Sequence, residues 1–340
     1  MNKKIVFAVV LLILVVLLAA CIFRKPTDNN GNGANDGTNP NLHGDWIYPA
    51  TANDNSVWGI KKGIAFGVQR NGTPPQIDEA PGGTWAPGLL YIMWTDSQGK
   101  THFFNYLGFE VLSAKGLDQS EAEKIVFTPG EPKIENNIMT VVFKMSEFQR
   151  NKISGIITVR IDKNHPREIE ISAQNPDQET DPVLYFHVSA TAGNLARLRN
   201  LYLKDEVVNS RELFAGMQQN AACFYPLQTF DLSKLPIDAA GNITVYAGND
   251  ETGQWVGDWG SATAPFYGGQ KFYQYWKKYP GSYKDDLKIT VNARDKYFSG
   301  FLNSCNGKQV LGGVAYENFD MAEQYFDGQT FWYGYSYERQ

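Results

Sequence analysis

Two neighbouring stretches of sequence decide the fold class: Ile153-Ser154-Gly155-Ile156-Ile157-Thr158-Val159-Arg160-Ile161 and Glu168-Ile169-Glu170-Ile171-Ser172-Ala173. In both stretches the odd positions are apolar, apart from Gly155, and most of the residues between them are polar. Because successive side chains of a strand point to opposite faces, this alternation predicts strands with one face on a core and the other in solvent. Such strands are typical of antiparallel sheets. The turn-forming run Asp162-Lys163-Asn164-His165-Pro166 joins the two stretches and predicts a hairpin.

Further strands are expected where short β-type runs lie between Gly, Pro, Asn and Asp. They cover residues 63–68, 89–95, 102–107, 110–113, 138–148, 183–189, 243–246, 287–292, 313–317 and 330–337. Helix signals are short and cover residues 118–124, residues 195–203, and a turn over residues 321–325 capped by Asp320. The lack of long helices between strands excludes a Rossmann or TIM-barrel architecture. The sequence therefore predicts an all-β fold, a large antiparallel two-sheet β-sandwich with few short helices.

The amino terminus has the pattern of a secretory signal. Two lysines precede the apolar residues 5–20, a run somewhat shorter than the roughly 20 residues of a membrane-spanning helix. Leu18-Ala19-Ala20-Cys21 resembles the lipobox of bacterial-type lipoproteins, in which the cysteine is lipidated and the peptide before it is removed. Residues 28–41 are rich in Asn, Gly and Asp and cannot bury apolar area. We expect a protein anchored in the cell membrane by lipid and facing outside the cytoplasm; an uncleaved anchor is the alternative.

The expected domain organisation follows from this pattern. It comprises a signal peptide over residues 1–20, a disordered lipid-anchored tether over residues 21–43, and a single β-sandwich domain over residues 44–340. Two smaller sandwiches divided near Gly193 are the alternative to the single domain.

Three cysteines are present in the chain. If lipid occupies Cys21, then Cys223 and Cys305 remain in a compartment that permits disulfides. A bridge between them would close a loop of ~80 residues and stabilise the fold by up to about 4.5 kcal/mol in the chain-entropy model; two separate buried thiols are the alternative. The four histidines are scattered, and no Cys-x-x-Cys or His-Glu-x-x-His spacing occurs, so no metal site is expected.

Charge and motifs exclude several partners. The 340-residue chain has 31 basic and 36 acidic residues, a net charge of −5, and therefore lacks the basic surplus that nucleic-acid binding requires. It contains no glycine-rich nucleotide motif, and no cofactor is expected. The expected partners are the membrane, through lipid on Cys21, and a glycan if the aromatic residues 251–285 form a binding site.

Aromatic residues are concentrated in residues 251–285, which are also rich in glycine. Trp and Tyr have flat apolar faces with a polar edge, which suits the C–H face of a sugar ring, and long loops on β scaffolds often carry binding sites. The candidate ligand-binding residues are Trp255, Asp258, Trp259, Tyr273 and Trp276. The alternative is that the segment packs over one end of the sandwich as a small second core. The C-terminal residues 331–337 form a second aromatic run, for which a core position is favoured.

Catalytic patterns are weak. No Gly-x-Ser-x-Gly elbow occurs, and glycosidic chemistry needs two carboxyl groups roughly 5–9.5 Å apart. The acids near aromatic or irregular segments, each expected to be solvated, are Asp205, Asp258, Asp285, Asp286 and Glu317. The sequence identifies no catalytic residue and leaves open whether the protein is an enzyme.

Three stretches resemble a family of secreted proteins and lipoproteins without an assigned activity. They are Val57-Trp58-Gly59-Ile60-Lys61-Lys62-Gly63-Ile64, Leu203-Lys204-Asp205-Glu206-Val207-Val208-Asn209-Ser210-Arg211-Glu212-Leu213 and Gly312-Gly313-Val314-Ala315-Tyr316-Glu317-Asn318-Phe319. The resemblance implies one integrated domain outside the cytoplasm and provides no known catalytic residues to assign to this sequence. The general pattern also resembles the large sugar-processing sandwiches of the galactose-mutarotase type, an analogy of architecture.

The leading hypothesis from the sequence is a lipid-anchored extracytoplasmic protein that binds or processes carbohydrate at the cell surface. The alternative is a structural or interaction protein of the cell envelope with no small-molecule site. An aromatic-lined cleft would distinguish the first from the second.

Overall fold

The computed structural model describes residues 41–51, 54–78, 86–111, 125–147, 154–174, 185–191, 193–249, 272–297, 307–326 and 328–339. Every described residue belongs to one compact unit, Asn39–Gln340. Within the described ranges, no helix is long and apolar enough to cross a membrane.

The described chain forms two large antiparallel sheets, which confirms the predicted two-sheet β-sandwich. With strands numbered in chain order, sheet 1 contains, from edge to edge, β1 (Leu42–His43), β2 (Trp46–Ile47), β3 (Val57–Ile60), β4 (Ile64–Gly67), β5 (Leu89–Thr95), β6 (Thr101–Val111), β12 (Tyr185–Thr191), β19 (Ala315–Gln324), β18 (Lys288–Arg294) and β15 (Gln228–Asp231). Sheet 2 contains β14 (Val207–Asn209), β13 (Asn200–Tyr202), β16 (Ile243–Asn249), β17 (Phe272–Lys278), β20 (Thr330–Ser336), β11 (Glu168–Gln174), β10 (Gly155–Asp162), β9 (Ile138–Met145) and β7 (Phe127–Pro129), and β8 (Lys133–Glu135) also pairs with β9.

Helical structure in the described ranges is short. It consists of helix α1 (Ser210–Leu213) and a 3-10 turn over Leu232–Lys234. Asn209 caps α1 by accepting a hydrogen bond from the backbone N–H of Arg211, as short polar side chains commonly do at helix starts.

The two stretches that predict the fold class are neighbouring strands. β10 pairs with β11 in antiparallel register, with Val159 opposite Ile171. Side chains along β10 alternate between buried and half-buried, as a period of two requires. The intervening turn forms the predicted hairpin, in which His165 N–H donates to the carbonyl of Asp162.

The core lies between the sheets and is rich in aromatic rings. Trp58 and Phe66 of sheet 1 pack edge-on against Phe143 of sheet 2, with ring centroids 5.5 and 5.8 Å apart. Each such pair contributes about 0.5–1.5 kcal/mol beyond area burial. In β20, Tyr333 and Tyr335 are at most 2% exposed, which confirms the core position predicted for the C-terminal aromatic run.

A buried polar cluster also joins the two sheets. The side-chain amide of Asn105 in β6 donates to Gln274 Oε1 of β17 at 2.6 Å, and the hydroxyl of Tyr333 donates to the same oxygen at 2.6 Å. Because buried polar groups are costly when unpaired, this cluster favours one alignment of the sheets.

Each sheet also combines strands from both sides of residue 193, since β12 pairs with β19 and β11 pairs with β20.

Three local expectations are wrong. Residues 195–203 are not helical, because the buried side chains of this apolar run belong to a turn followed by β13. Asp320 does not cap a turn but lies inside β19, where its Oδ2 is 3.1 Å from Nε2 of His187. Residues 272–278 form strand β17 rather than an irregular connection, because their alternation was obscured by the uniformly aromatic composition.

Candidate functional site

Several predicted site residues lie outside the described residues, namely Trp255, Asp258, Trp259, Cys21 and Cys305. Cys223 is 4% exposed and is disulfide-bonded. Its partner lies outside the described residues, and the Cys223–Cys305 pairing stays a prediction.

The prediction that Trp276 belongs to a ligand-binding platform is wrong. It is fully buried in the core, and its indole Nε1–H donates to the carbonyl of Phe319 across the sandwich at 2.8 Å. Tyr273 lies on the same strand but on the opposite face, because the two positions differ by an odd number of residues. Of the predicted platform residues within the described ranges, Tyr273 therefore faces away from the core between the sheets and Trp276 faces into it, and both are buried, since Tyr273 is 7% exposed.

Four tyrosines from neighbouring strands form a tyrosine cluster on this outer face of sheet 2: Tyr202, Tyr246, Tyr273 and Tyr275. Strand register determines the cluster, since Tyr202 lies opposite Tyr246 and Tyr246 lies opposite Tyr275. The rings of Tyr246 and Tyr275 are 5.4 Å apart between centroids. Each of the four side chains is 6–7% exposed, so the outer face has a row of packed aromatic rings rather than an open aromatic surface.

Two glycines permit the rings to lie flat on the sheet. A Cβ atom at Gly334 would lie 2.7 Å from Cζ of Tyr275 and 2.5 Å from the carbonyl oxygen of Arg167. A Cβ atom at Gly248 would lie 2.5 Å from Cδ1 of Tyr273. The rings therefore occupy the space that side chains would fill, and Tyr275 extends across β20 towards β11.

Tyr275 reaches Glu168 because both residues lie opposite Gly334 in the sheet register. Glu168 Oε2 accepts a hydrogen bond from the hydroxyl of Tyr275 at 2.9 Å and another from Nζ of Lys277 at 2.8 Å. The side chain of Glu168 is 8% exposed. A buried carboxylate is stable when it is paired and hydrogen-bonded in this way. The three groups form what we call the Glu168 triad.

Electrostatics in the triad fix the protonation states. Burial raises the pKa of Tyr275 well above its ordinary value, and the adjacent charge of Glu168 raises it further. Burial by itself lowers the pKa of Lys277, but the hydrogen bond and charge of Glu168 outweigh this effect and raise it. At neutral pH the triad therefore contains a neutral phenol and a charged ammonium group.

A cleft of about 340 Å³ lies beside the triad. Its lining comprises residues of the outer face, the core-facing Tyr335, and two turns beside β4 and β11: Tyr246, Tyr275, Glu168, Lys277, Lys62 and Arg167. The volume is within the range of about 300–1,000 Å³ that is typical of small-molecule sites. Its lining is more polar than that of most such sites, which favours a hydrophilic ligand.

A smaller side pocket of about 90 Å³ adjoins the cleft and shares His165 and Glu168 with it. Its lining includes the half-buried Trp332, whose ring is perpendicular to that of Tyr279 with centroids 4.6 Å apart. The register places Trp332 between Lys277 and Glu170, so the side pocket is the next row of the same sheet face.

The five acids proposed as carboxylate candidates have three different outcomes. Asp205, Asp285 and Asp286 are exposed, as expected, and Asp258 lies outside the described residues. The prediction that Glu317 is solvated at the surface is wrong, because this side chain is fully buried in β19. Burial raises its pKa to about 7, although the nearby charge of Arg294 acts in the opposite direction.

The described residues contain no cluster of three or more His, Cys, Asp or Glu side chains that could hold a metal ion.

No family model, curated protein or solved structure matches the chain. The cleft must therefore be interpreted from its own chemistry.

Sequence reasoning missed Glu168, Lys277 and Arg167 as site residues. The alternation places Glu168 on the solvent face of a strand, and that face contains the cleft. The one sequence signal for these residues is the alternation along β17, which places Tyr273, Tyr275 and Lys277 on one face of a strand. Recognising it as a strand would have separated the outer face from the core-facing Trp276.

Proposed function

We propose that this protein binds carbohydrate in the cleft on the outer face of sheet 2. The observation that carries the proposal is the Glu168 triad, a fixed carboxylate at the wall of a polar cleft bordered by tyrosine rings. Together with the lipoprotein-type amino terminus ending at Cys21, it supports a glycan-binding protein held at the outer side of a cell membrane.

The cleft supplies the groups that sugar hydroxyls require. Glu168 accepts hydrogen bonds, and Lys277 donates them. Among the described residues the hydroxyl of Tyr246 has no hydrogen-bond partner, so it is available to a ligand. Trp332 in the side pocket adds an aromatic ring for the C–H face of a second sugar unit. Paired donors and acceptors beside flat rings suit a carbohydrate better than an apolar ligand.

Binding, rather than hydrolysis, is the activity that the cleft supports. Among the described residues that line the cleft, Glu168 is the one carboxylic acid, and its Oε2 is engaged by Tyr275 and Lys277. The side pocket adds Asp162 and Glu170, and Glu170 is paired with Arg160 at 3.0 Å. Glycosidases of the common type use two carboxyl groups flanking the scissile bond.

The test is a glycan array on the full-length protein in detergent, followed by calorimetric titration of the best-binding glycan. We expect Glu168→Gln and Tyr275→Phe each to weaken binding about tenfold or more, because each removes a hydrogen-bonded charge or its support. Tyr283→Phe is the matched control, since its hydroxyl bonds to the carbonyl of Gly241 and Tyr283 does not line the cleft.

Either of two results contradicts the proposal. One is an array on which no glycan binds. The other is a glycan whose affinity is unchanged by both Glu168→Gln and Tyr275→Phe; such a result would place any glycan site elsewhere on the protein.

A further inference from the structure

We infer that the glycan unit bound in the cleft carries a negative charge, as a uronic acid does. The inference rests on the proposed function and specifies its ligand class. Its basis is a pair of uncompensated cations, Lys62 and Arg167, brought together at the rim of the cleft.

The charges of the cleft do not cancel. Lys277 is neutralised by Glu168 at 2.8 Å. Lys62 and Arg167 have no carboxylate partner among the ion pairs of the described residues. Asp45 feels the charge of Lys62, but its carboxylate is bonded to Lys163 at 2.6 Å. The cleft is thus locally positive on a chain with a net charge of −5.

Backbone contacts hold the two cations in one place. Lys62 precedes β4 and Arg167 precedes β11, so the two belong to different sheets. Ile64 N–H donates to the carbonyl of Pro166 at 2.6 Å, which joins the two segments. A Cβ atom at Gly63 would lie 2.2 Å from the same carbonyl, so Gly63 permits the close approach.

Arg167 is also oriented by its neighbours. Its carbonyl accepts a hydrogen bond from Tyr335 N–H at 3.0 Å, and its guanidinium group lies over the ring of Tyr337, 5.0 Å from the centroid. Stacking on a ring leaves the edge donors of a guanidinium group available, and these match the two oxygens of a carboxylate. Holding two like charges together is unfavourable, and an anionic ligand would relieve that repulsion.

The experiment compares matched acidic and neutral sugars on the full-length protein. The probes are oligogalacturonate and oligoglucuronate, each paired with its methyl ester of equal length, and a sulfated galactan oligosaccharide paired with its unsulfated form. We expect the acidic members to bind about tenfold more tightly than the neutral ones, and the difference to shrink in about 0.5 M salt. A preference for uronates over sulfated sugars would identify the carboxylate as the recognised group.

Charge variants test the assignment to the two cations. Arg167→Gln and Lys62→Gln should each reduce the preference for acidic over neutral sugar about threefold to tenfold, with little effect on the neutral sugar. Lys133→Gln is the control, because Lys133 is 72% exposed and does not line the cleft.

The outcomes separate this inference from the proposed function. Equal binding of the acidic and neutral members overturns the inference and leaves carbohydrate binding intact. A preference for acidic sugars that survives both variants also overturns it, because the charge is then recognised elsewhere. If no probe and no array glycan binds, the proposed function itself fails.

Discussion

The buried acid Glu317 predicts an unusual pH dependence of stability. Burial raises its pKa from 4.5 to about 7 in the folded protein. Because the folded state holds the proton more tightly than the unfolded chain, Glu317 contributes its full stability below pH 4.5. That contribution is lost as the pH rises through about 7. Most acids in proteins act in the opposite direction, since pairing lowers their pKa values.

The magnitude follows from the size of the pKa change. At 1.36 kcal/mol per pKa unit, a rise from 4.5 to about 7 corresponds to about 3 kcal/mol. Glu317 is fully buried, so solvent screening does not reduce this figure. Glu317→Gln keeps the shape of the side chain but cannot ionise. The free energy of unfolding of the variant should therefore gain about 3 kcal/mol relative to the wild type between pH 4.5 and 8.

The assay is urea unfolding followed by circular dichroism at several pH values across this interval. The measured quantity is the difference in the free energy of unfolding between wild type and Glu317→Gln. Glu131→Gln is the control, because it makes the same chemical change at an exposed position. Parallel pH profiles for the wild type and Glu317→Gln would refute the reasoning.

Three further predictions follow from the packing and the sequence. Gly334→Ala should lower the free energy of unfolding by about 1–3 kcal/mol and displace Tyr275, because the added methyl group has no space; unchanged stability in urea unfolding would contradict this. Lys278→Met should cost about 3–5 kcal/mol in the same assay, because it leaves Glu323 buried without its cationic partner. Adding Glu323→Leu should recover most of that loss, and an additive double variant would show that the pair is not coupled. Cys21→Ser should abolish metabolic lipid labelling and leave an uncleaved precursor, and retained labelling would refute the lipoprotein assignment.

The fold class could be predicted from sequence because alternation is a local signal. The strands around Val159 and Ile171 bury alternate side chains as expected, and the turn between them contains the residue types that turns require. Strand β5 begins and ends at the predicted residues. Helix expectations failed at residues 195–203 because apolar residues three apart occur in buried turns as well as in helices.

The candidate site could not be predicted in the same way. Glu168 and Tyr275 are far apart in the chain and meet only through the pairing of β11, β20 and β17. Strand order is a property of the whole fold, and no local pattern encodes it. The aromatic composition indicates both Trp276 and Tyr273 as candidate ligand-binding residues. Composition does not distinguish a side chain that points into the core from one that points outward. Periodicity does make that distinction once the strand is recognised.

The inward-facing residues of β17 determine what its outer face can do. Trp276 bonds to the carbonyl of Phe319, and Gln274 bonds to Asn105, so sheet 1 holds the register of this strand at two points. A slip of one residue would move the aromatic and charged side chains of the cleft into the core and expose the indole. The position of Lys277 at the cleft is therefore a consequence of core packing on the other side of the same strand. Binding chemistry on the outer face depends on hydrogen bonds that no ligand touches.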